Sequence, residues 1–343
     1  MIFRGSLGRR YKFTEFLGWT GWEAGCLILW SALVTGFLQV TNWNFLTIPG
    51  SILTIVGSAL AIILAFKNQQ CYARFTEALS TSGQLISASY ILANRLTAAV
   101  GNPDAAHAAQ LKVIFHRHFA WLTALRFLLR ERKTWENATE RGNARYLAEL
   151  PTPESQSSLK DELKTYLSEA EWQKVLAHRG DKEALILHWQ YDAVREMWEQ
   201  KLISEYILIM LTGALDEFAR LQGALKRMKN YPYARNFYSI AIFLVMIYVA
   251  IIPFGLYPAA QELGKSAGIA HWTAWLNVPF SAVIGWLFVS LEKVGENSSN
   301  PFEGSSNDVP ISSIARRIEI EMRLMLGEET ELKPIEPKHE ILF

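Results

Sequence analysis

Charge is missing from the long stretches where a soluble protein would carry it. Ala24 to Phe66 contains no Asp, Glu, Lys or Arg, and neither do Asn236–Gln261 and Ser266–Leu291. A membrane-spanning helix needs roughly 20 apolar residues. The first run is long enough for two spans and the others for one each, which excludes an ordinary water-soluble domain. Cysteine is scarce. Cys26 lies inside the first run and Cys71 beyond it, so they make no stabilising disulfide and read as free thiols. There is no Walker A loop, HExxH, CxxC or GxSxG, and so no signature of an enzyme. The spans hold no acid, which argues against a proton-coupled transporter. A net charge of +1 without a basic tract points to no nucleic-acid partner. The first run also starts too late, and is too long, for a cleaved signal peptide, so the N-terminus is expected to be kept.

What the sequence has instead is tryptophan and apolar helix. Twelve Trp occur in 343 residues, half of them hydrophobic. Four spans are expected, at 25–40, 45–66, 237–260 and 272–291. "TNWN" at 41–44 makes a hairpin between the first two, and Trp43 and Trp272 sit at span ends as interfacial aromatics do. Arg4, Arg9, Arg10 and Lys12 precede the first span. Lys67 and Arg74 follow the second, and Lys226, Arg227, Lys229 and Arg235 precede the third. The hairpin has no charge, and the loop between spans three and four has only Glu262 and Lys265. The positive-inside rule then puts both termini and the central region in the cytoplasm. The expected fold is an all-α membrane protein of four transmembrane helices plus a large cytoplasmic helical domain at 67–235. Residues 1–24 form a cytoplasmic N-terminal segment and 292–343 a cytoplasmic tail. Within the central region "LPTPESQSS" reads as a loop, and "SSLKDELKTYL" opens a short helix behind a serine cap.

Candidate chemistry is sparse. His116 and His118 are two apart, so a helix sends them to different sides and they make a poor metal pair. Asp216 and Glu217 read as a solvated acidic pair. The second span, "FLTIPGSILTIVGSALAIILAF", carries two stripes at four-residue spacing. Gly57, Ala61 and Ala65 are small and permit close helix approach. Ser58, Ile62 and Phe66 lie on the neighbouring face. Both stripes fit ordinary packing or lipid contact equally well. Alternatively, the helix packs through the small stripe and turns the other to a pore, where rings of apolar side chains make a constriction. One such helix encloses nothing, so this reading needs a symmetric oligomer. It would also explain why "SALAIILAFKNQQCYARF" runs from an apolar half into a polar half without Pro or Gly.

"LAIILAFKNQQCYARFTEA" resembles the bacterial bestrophin signature at Phe66, Lys67, Asn68, Tyr72, Arg74 and Glu77. "NYPYARNFYSIAIFLVMIYVAIIPFGL" is similar to a second family segment at Pro232, Pro253 and Phe254. "LEKVGENSSNPFEGSSNDVPI" is similar to a third at Leu291, Glu292, Gly295, Asn300, Pro301, Phe302, Asp308 and Pro310. The three motifs occur in the family's order, over about residues 25–326. The resemblance implies a homopentameric channel for small monovalent ions in the inner or plasma membrane, with the chain itself as partner alongside the lipid bilayer. It implies an apolar neck at Ser58, Ile62 and Phe66. Ser58 stands where a bulky apolar residue is usual, so the outer ring is expected to be wider and wetter. Lys67 replaces the usual Arg, which keeps charge but loses a bidentate donor. A second constriction is expected on "EQKLISEYILIM", with Ile203 and Ile207 as candidates. Animal members bind calcium at an acidic cluster after Asn-Pro-Phe. Only Glu303 and Asp308 stand here, too few for the six to eight oxygens calcium prefers, so no metal, calcium gating or cofactor is expected. Family members are mostly chloride channels, which favours an anion, and some bacterial members select cations, which is the alternative. The other class of reading is a membrane-anchored scaffold or receptor.

Overall fold

The computed structural model describes residues 13–101, 105–137, 141–305, 308–338 and 341–342. The basic segment Arg4, Arg9, Arg10 and Lys12 lies outside the described residues. Thirteen α-helices run in chain order: α1 Phe13–Thr41, α2 Gly50–Val100, α3 Ala105–Arg130, α4 Arg141–Glu149, α5 Pro153–Gln156, α6 Leu159–Leu163, α7 Glu169–Ala177, α8 Lys182–Glu199, α9 Glu205–Asn230, α10 Arg235–Lys265, α11 Ala270–Thr273, α12 Asn277–Asn297 and α13 Ile311–Met325. No strand occurs among the described residues. Four stretches are long and apolar enough to cross a membrane: Phe16–Thr41, Gly50–Val100, Glu205–Lys265 and Ala270–Asn297.

The apolar ends of α1, α2, α10 and α12 bundle together. Leu53, Leu60 and Leu64 of α2 meet Val245, Tyr248 and Ile252 of α10 and Phe288 of α12. A polar node fastens the other side. Asn277 donates to the Pro253 carbonyl and the Thr35 hydroxyl, both at 3.0 Å, and accepts from Ser281 at 2.9 Å. Pro253 lies inside α10 and has no N–H to give its own helix. Its carbonyl is met from α12, which ties three helices at one buried point. The Phe254 carbonyl accepts from the Ile48 amide at 3.2 Å and holds the α1–α2 connection against α10.

The expected span limits shift in several places. The α1–α2 turn is longer than "TNWN". Asn42 takes a positive φ of 54°, Asn44–Leu46 is a 3-10 turn, and Pro49 is the N-cap of α2, so the helix starts at Gly50 rather than 45. The first helix starts well before residue 25, because its polar first turns stay helical into the charge-free run. The last span opens with a short helix and a 3-10 turn before α12. The Ser158 cap on α6 is present, its hydroxyl accepting from the Asp161 amide at 3.1 Å.

The second body is the polar-surfaced helical part. α2 continues into it and packs on α9 and α13, while α3 packs on α8. Its core joins Leu85, Leu92, Phe115, Trp121, Phe218 and Leu221. Part of the expected 292–343 tail packs back onto this body. Phe302, Val309, Ile311, Ile314, Ile318 and Met322 are buried in this same core. The amphipathic face of α13 has nowhere else to bury its isoleucines. His118 sits in this core, 3.0 Å from the Ser89 hydroxyl and stacked on Trp121 and Phe218, where burial pulls its pKa down to about 3 and keeps the ring neutral. His116 instead lies 3.3 Å from Glu328, so the two rings do not converge on one ion.

Candidate pore face and its anchors

α2 is one unbroken helix of 51 residues, about 75 Å long at 1.5 Å per residue. Up to Cys71 its buried positions are Leu53, Gly57, Leu60, Leu64, Lys67 and Cys71. Alternating steps of four and three keep one face turned inward across the apolar–polar boundary. Ser58, Ile62 and Phe66 all lie off that face, with Ile62 58% and Phe66 66% exposed. The small stripe divides. At Gly57 an added Cβ would lie 2.3 Å from the Tyr248 hydroxyl, so this glycine is what lets α10 approach. Ala61 and Ala65 are exposed in this chain.

Lys67 is one residue past Phe66 and points the other way. It is 3% exposed, and its Nζ lies 2.5 Å from Glu292 on α12 and 4.6 Å over the Tyr238 ring. Asn68 donates to the Leu291 carbonyl at 3.0 Å. Gly295 makes this approach possible, since a Cβ there would meet Asn68 Oδ1 at 2.1 Å. Arg74 donates to the Met228 and Tyr231 carbonyls, capping the end of α9 just before Pro232. Glu77 pairs with Arg227 at 2.9 Å on the surface, and Tyr72 is exposed.

The loop after α12 is a knot around Asp308. Its carboxylate accepts from the amides of Phe302 at 2.5 Å, Gly304 at 2.5 Å and Val309 at 2.6 Å, and pairs with Arg130 at 2.5 Å. This holds Phe302 at φ 75° with its ring fully buried. Pro301 lies in the turn that leads into Phe302. Asn300 is buried beside Glu303 and hydrogen-bonds its carboxyl. Burial pushes the Glu303 carboxyl up to about 8, with Glu136 and Asp308 adding to the rise. Its Oε1 has no hydrogen-bond partner. Glu136, Glu154, Glu303 and Asp308 are buried against Lys229, Arg126 and Arg130, each side chain under a tenth exposed. Arg126 is shared with Glu162 as well, so acids outnumber bases here, and a proton on Glu303 lowers that excess.

The expected second constriction needs correction. "EQKLISEYILIM" is not one helix: α8 ends at Glu199, Lys201 takes a positive φ of 61°, and α9 begins at Glu205 behind a Ser204 cap. Ile203 lies in the break, 5% exposed in the chain's own core. Ile207 is half-buried against the same core. The open residues of that turn are Tyr206 and Ile209, 78% and 64% exposed. Sequence spacing alone did not reveal them, because both candidates and both open residues are large and hydrophobic or aromatic.

Four apolar helices bundled beside a helical polar body define a polytopic α-helical membrane protein. The model of the family described as Bacterial/Fungal Bestrophin protein matches residues 22–324, and the chain belongs to that family. It is 25% identical over 281 residues to the Voltage-dependent anion channel-forming protein YneE of Salmonella typhi, covering 81% of this chain and 77% of that one. It is likewise 25% identical over 281 residues to the protein of the same name from Escherichia coli K12. A crystal structure of a bacterial bestrophin homologue from Klebsiella pneumoniae shares the fold at 19% identity and a TM-score of 0.74, covering 90% of this chain and 99% of that one.

Proposed function

We propose that five copies of this chain form a passive channel for small monovalent ions, with α2 of each copy lining the pore. The observation that carries this is the open face of α2. Ser58, Ile62 and Phe66 stand exposed on a helix whose opposite face is buried from Leu53 to Cys71. A second exposed stripe, Ala61 and Ala65, is small enough for neighbouring α2 helices to meet side by side. Rings of Ile62 and Phe66 would then form a dry neck, with Ser58 at its wetter outer edge. The polar body lies in the cytoplasm of a cell with the channel in its plasma or inner membrane, and Tyr206 or Ile209 replaces Ile203 as the further narrowing. The names of the related anion channel-forming proteins favour an anion as cargo.

One observation favours the cation reading. The cation nearest the neck, Lys67, is buried and neutralised by Glu292, so the neck itself offers no full charge to an anion. A reversal potential decides. Purified protein in a planar bilayer under a KCl gradient reverses near the chloride potential if anions pass and near the potassium potential if cations do. Ile62→Ala with Phe66→Ala raises conductance or leak in either case; unchanged currents count against the neck. Absence of current together with a monomeric particle leaves the scaffold reading. Calcium added at constant ionic strength leaves the currents unchanged, because the Asp308 oxygens are taken by three amides and Arg130.

A further inference from the structure

We propose that Glu292 is a selectivity-determining residue: by neutralising Lys67 one position past the neck, it removes a ring of positive charge from the cytoplasmic mouth of the pore. The inference rests on the channel reading above.

The geometry is specific to this place. Phe66 and Lys67 are adjacent in sequence, so five-fold assembly repeats both around one axis at nearly the same depth. A helix advances about 100° per residue, which turns Lys67 from the open face into the chain's own interior. There its ammonium meets Glu292 at 2.5 Å and the Tyr238 ring at 4.6 Å. The Glu292 side chain is 8% exposed. The approach is built in rather than incidental. Asn68 ties to the Leu291 carbonyl, and glycine at 295 is the only residue type that fits against Asn68 at that spacing.

A lone charge acts at long range through a low-dielectric wall, whereas an ion pair acts as a dipole and fades much faster. Lys67 alone would make the inner mouth attractive to anions; Lys67 with Glu292 does not. The same chain thus carries a cation beside its neck and the device that silences it. Replacing the carboxylate uncovers that charge five times per pore.

The test is a set of reversal potentials in planar bilayers under a KCl gradient, with the wild type and each variant first checked for the same five-fold particle. Glu292→Gln is expected to move the anion-to-cation permeability ratio on the order of tenfold toward chloride. The double variant Lys67→Gln with Glu292→Gln, which removes both charges, is expected to return to the wild-type value. If Glu292→Gln does not assemble, Lys67→Gln carries the test, with a shift of the opposite sign. A conducting Glu292→Gln at the wild-type potential overturns the inference and leaves the channel reading intact. So does a double variant that shifts as far as Glu292→Gln, since the effect then has nothing to do with Lys67. A wild-type particle that passes no current overturns the channel reading, and this inference with it.

Discussion

Substituting Glu303 by Gln should make the protein more stable at neutral and alkaline pH and leave it unchanged in acid. Glu303 is 9% exposed and its carboxyl is raised from 4.5 to about 8, chiefly by burial. The folded state therefore holds this proton more tightly than the unfolded chain. Below about pH 4.5 both states are protonated and Glu303 costs nothing. Between about 4.5 and 8 the unfolded chain ionises while the folded one resists, so stability is lost as pH rises. Above about 8 both are ionised and the loss is complete. A tenfold difference in proton affinity is worth about 1.4 kcal/mol, so the whole window amounts to something on the order of 5 kcal/mol. Gln keeps the shape and the Asn300 neighbour but cannot ionise. Thermal unfolding of purified wild type and variant in one detergent, from about pH 4.5 to about pH 9, measures the difference. The two curves should coincide at the acid end and separate steadily to about pH 8. Parallel curves with a constant offset would falsify the raised carboxyl and with it the charge count of that cluster.

Two further substitutions test the anchors. Gly57→Ala puts a Cβ 2.3 Å from the Tyr248 hydroxyl, so it should cost roughly 1–3 kcal/mol by overpacking. Tyr248→Phe should restore part of that in thermal unfolding, and a double variant no better than Gly57→Ala refutes the contact. Asp308→Asn removes the nearer of Arg130's two carboxylate partners, leaving Glu154 at 3.7 Å, and weakens three amide contacts. A loss of about 3 kcal/mol or more is expected, and a variant that melts with wild type would show that the loop is not held by this residue.

The membrane helices were legible because their signal is an absence. No charge interrupts Ala24–Phe66, and no folded core is needed to see it. Their ends were less so. Pro49 sits as an N-cap rather than inside a span, and the polar turns of α1 remain helical because nothing breaks them. That Ser58, Ile62 and Phe66 share one open face was readable from periodicity alone. Which stripe lies buried was not, because Gly57 is distinguished from Ala61 and Ala65 only by Tyr248 on α10. Ile203 illustrates the same limit. A break between α8 and α9 reverses what its neighbours face, and one positive φ at Lys201 has no sequence signature. The partners of Lys67 and Asp308 are 225 and 178 residues away, a distance that no local pattern spans.

The unbroken course of α2 has a mechanical consequence. Past Phe66 it continues for another 34 residues to Val100, roughly 50 Å of helix at 1.5 Å per residue. No Pro or Gly interrupts it from Phe66 to Ser82, and the Ser82–Gly83 pair that follows is the place where a helix of this kind bends. The helix that carries Ile62 and Phe66 is thus also a main beam of the polar-surfaced body, packed there on α9 and α13. If α2 lines the pore as proposed, a tilt of about 3° over the roughly 24 Å from Phe66 to Ser82 moves the lower end by about 1.3 Å. On the proposed reading, widening the pore tilts this upper shaft as one piece, against the packing of α2 on α9 and α13.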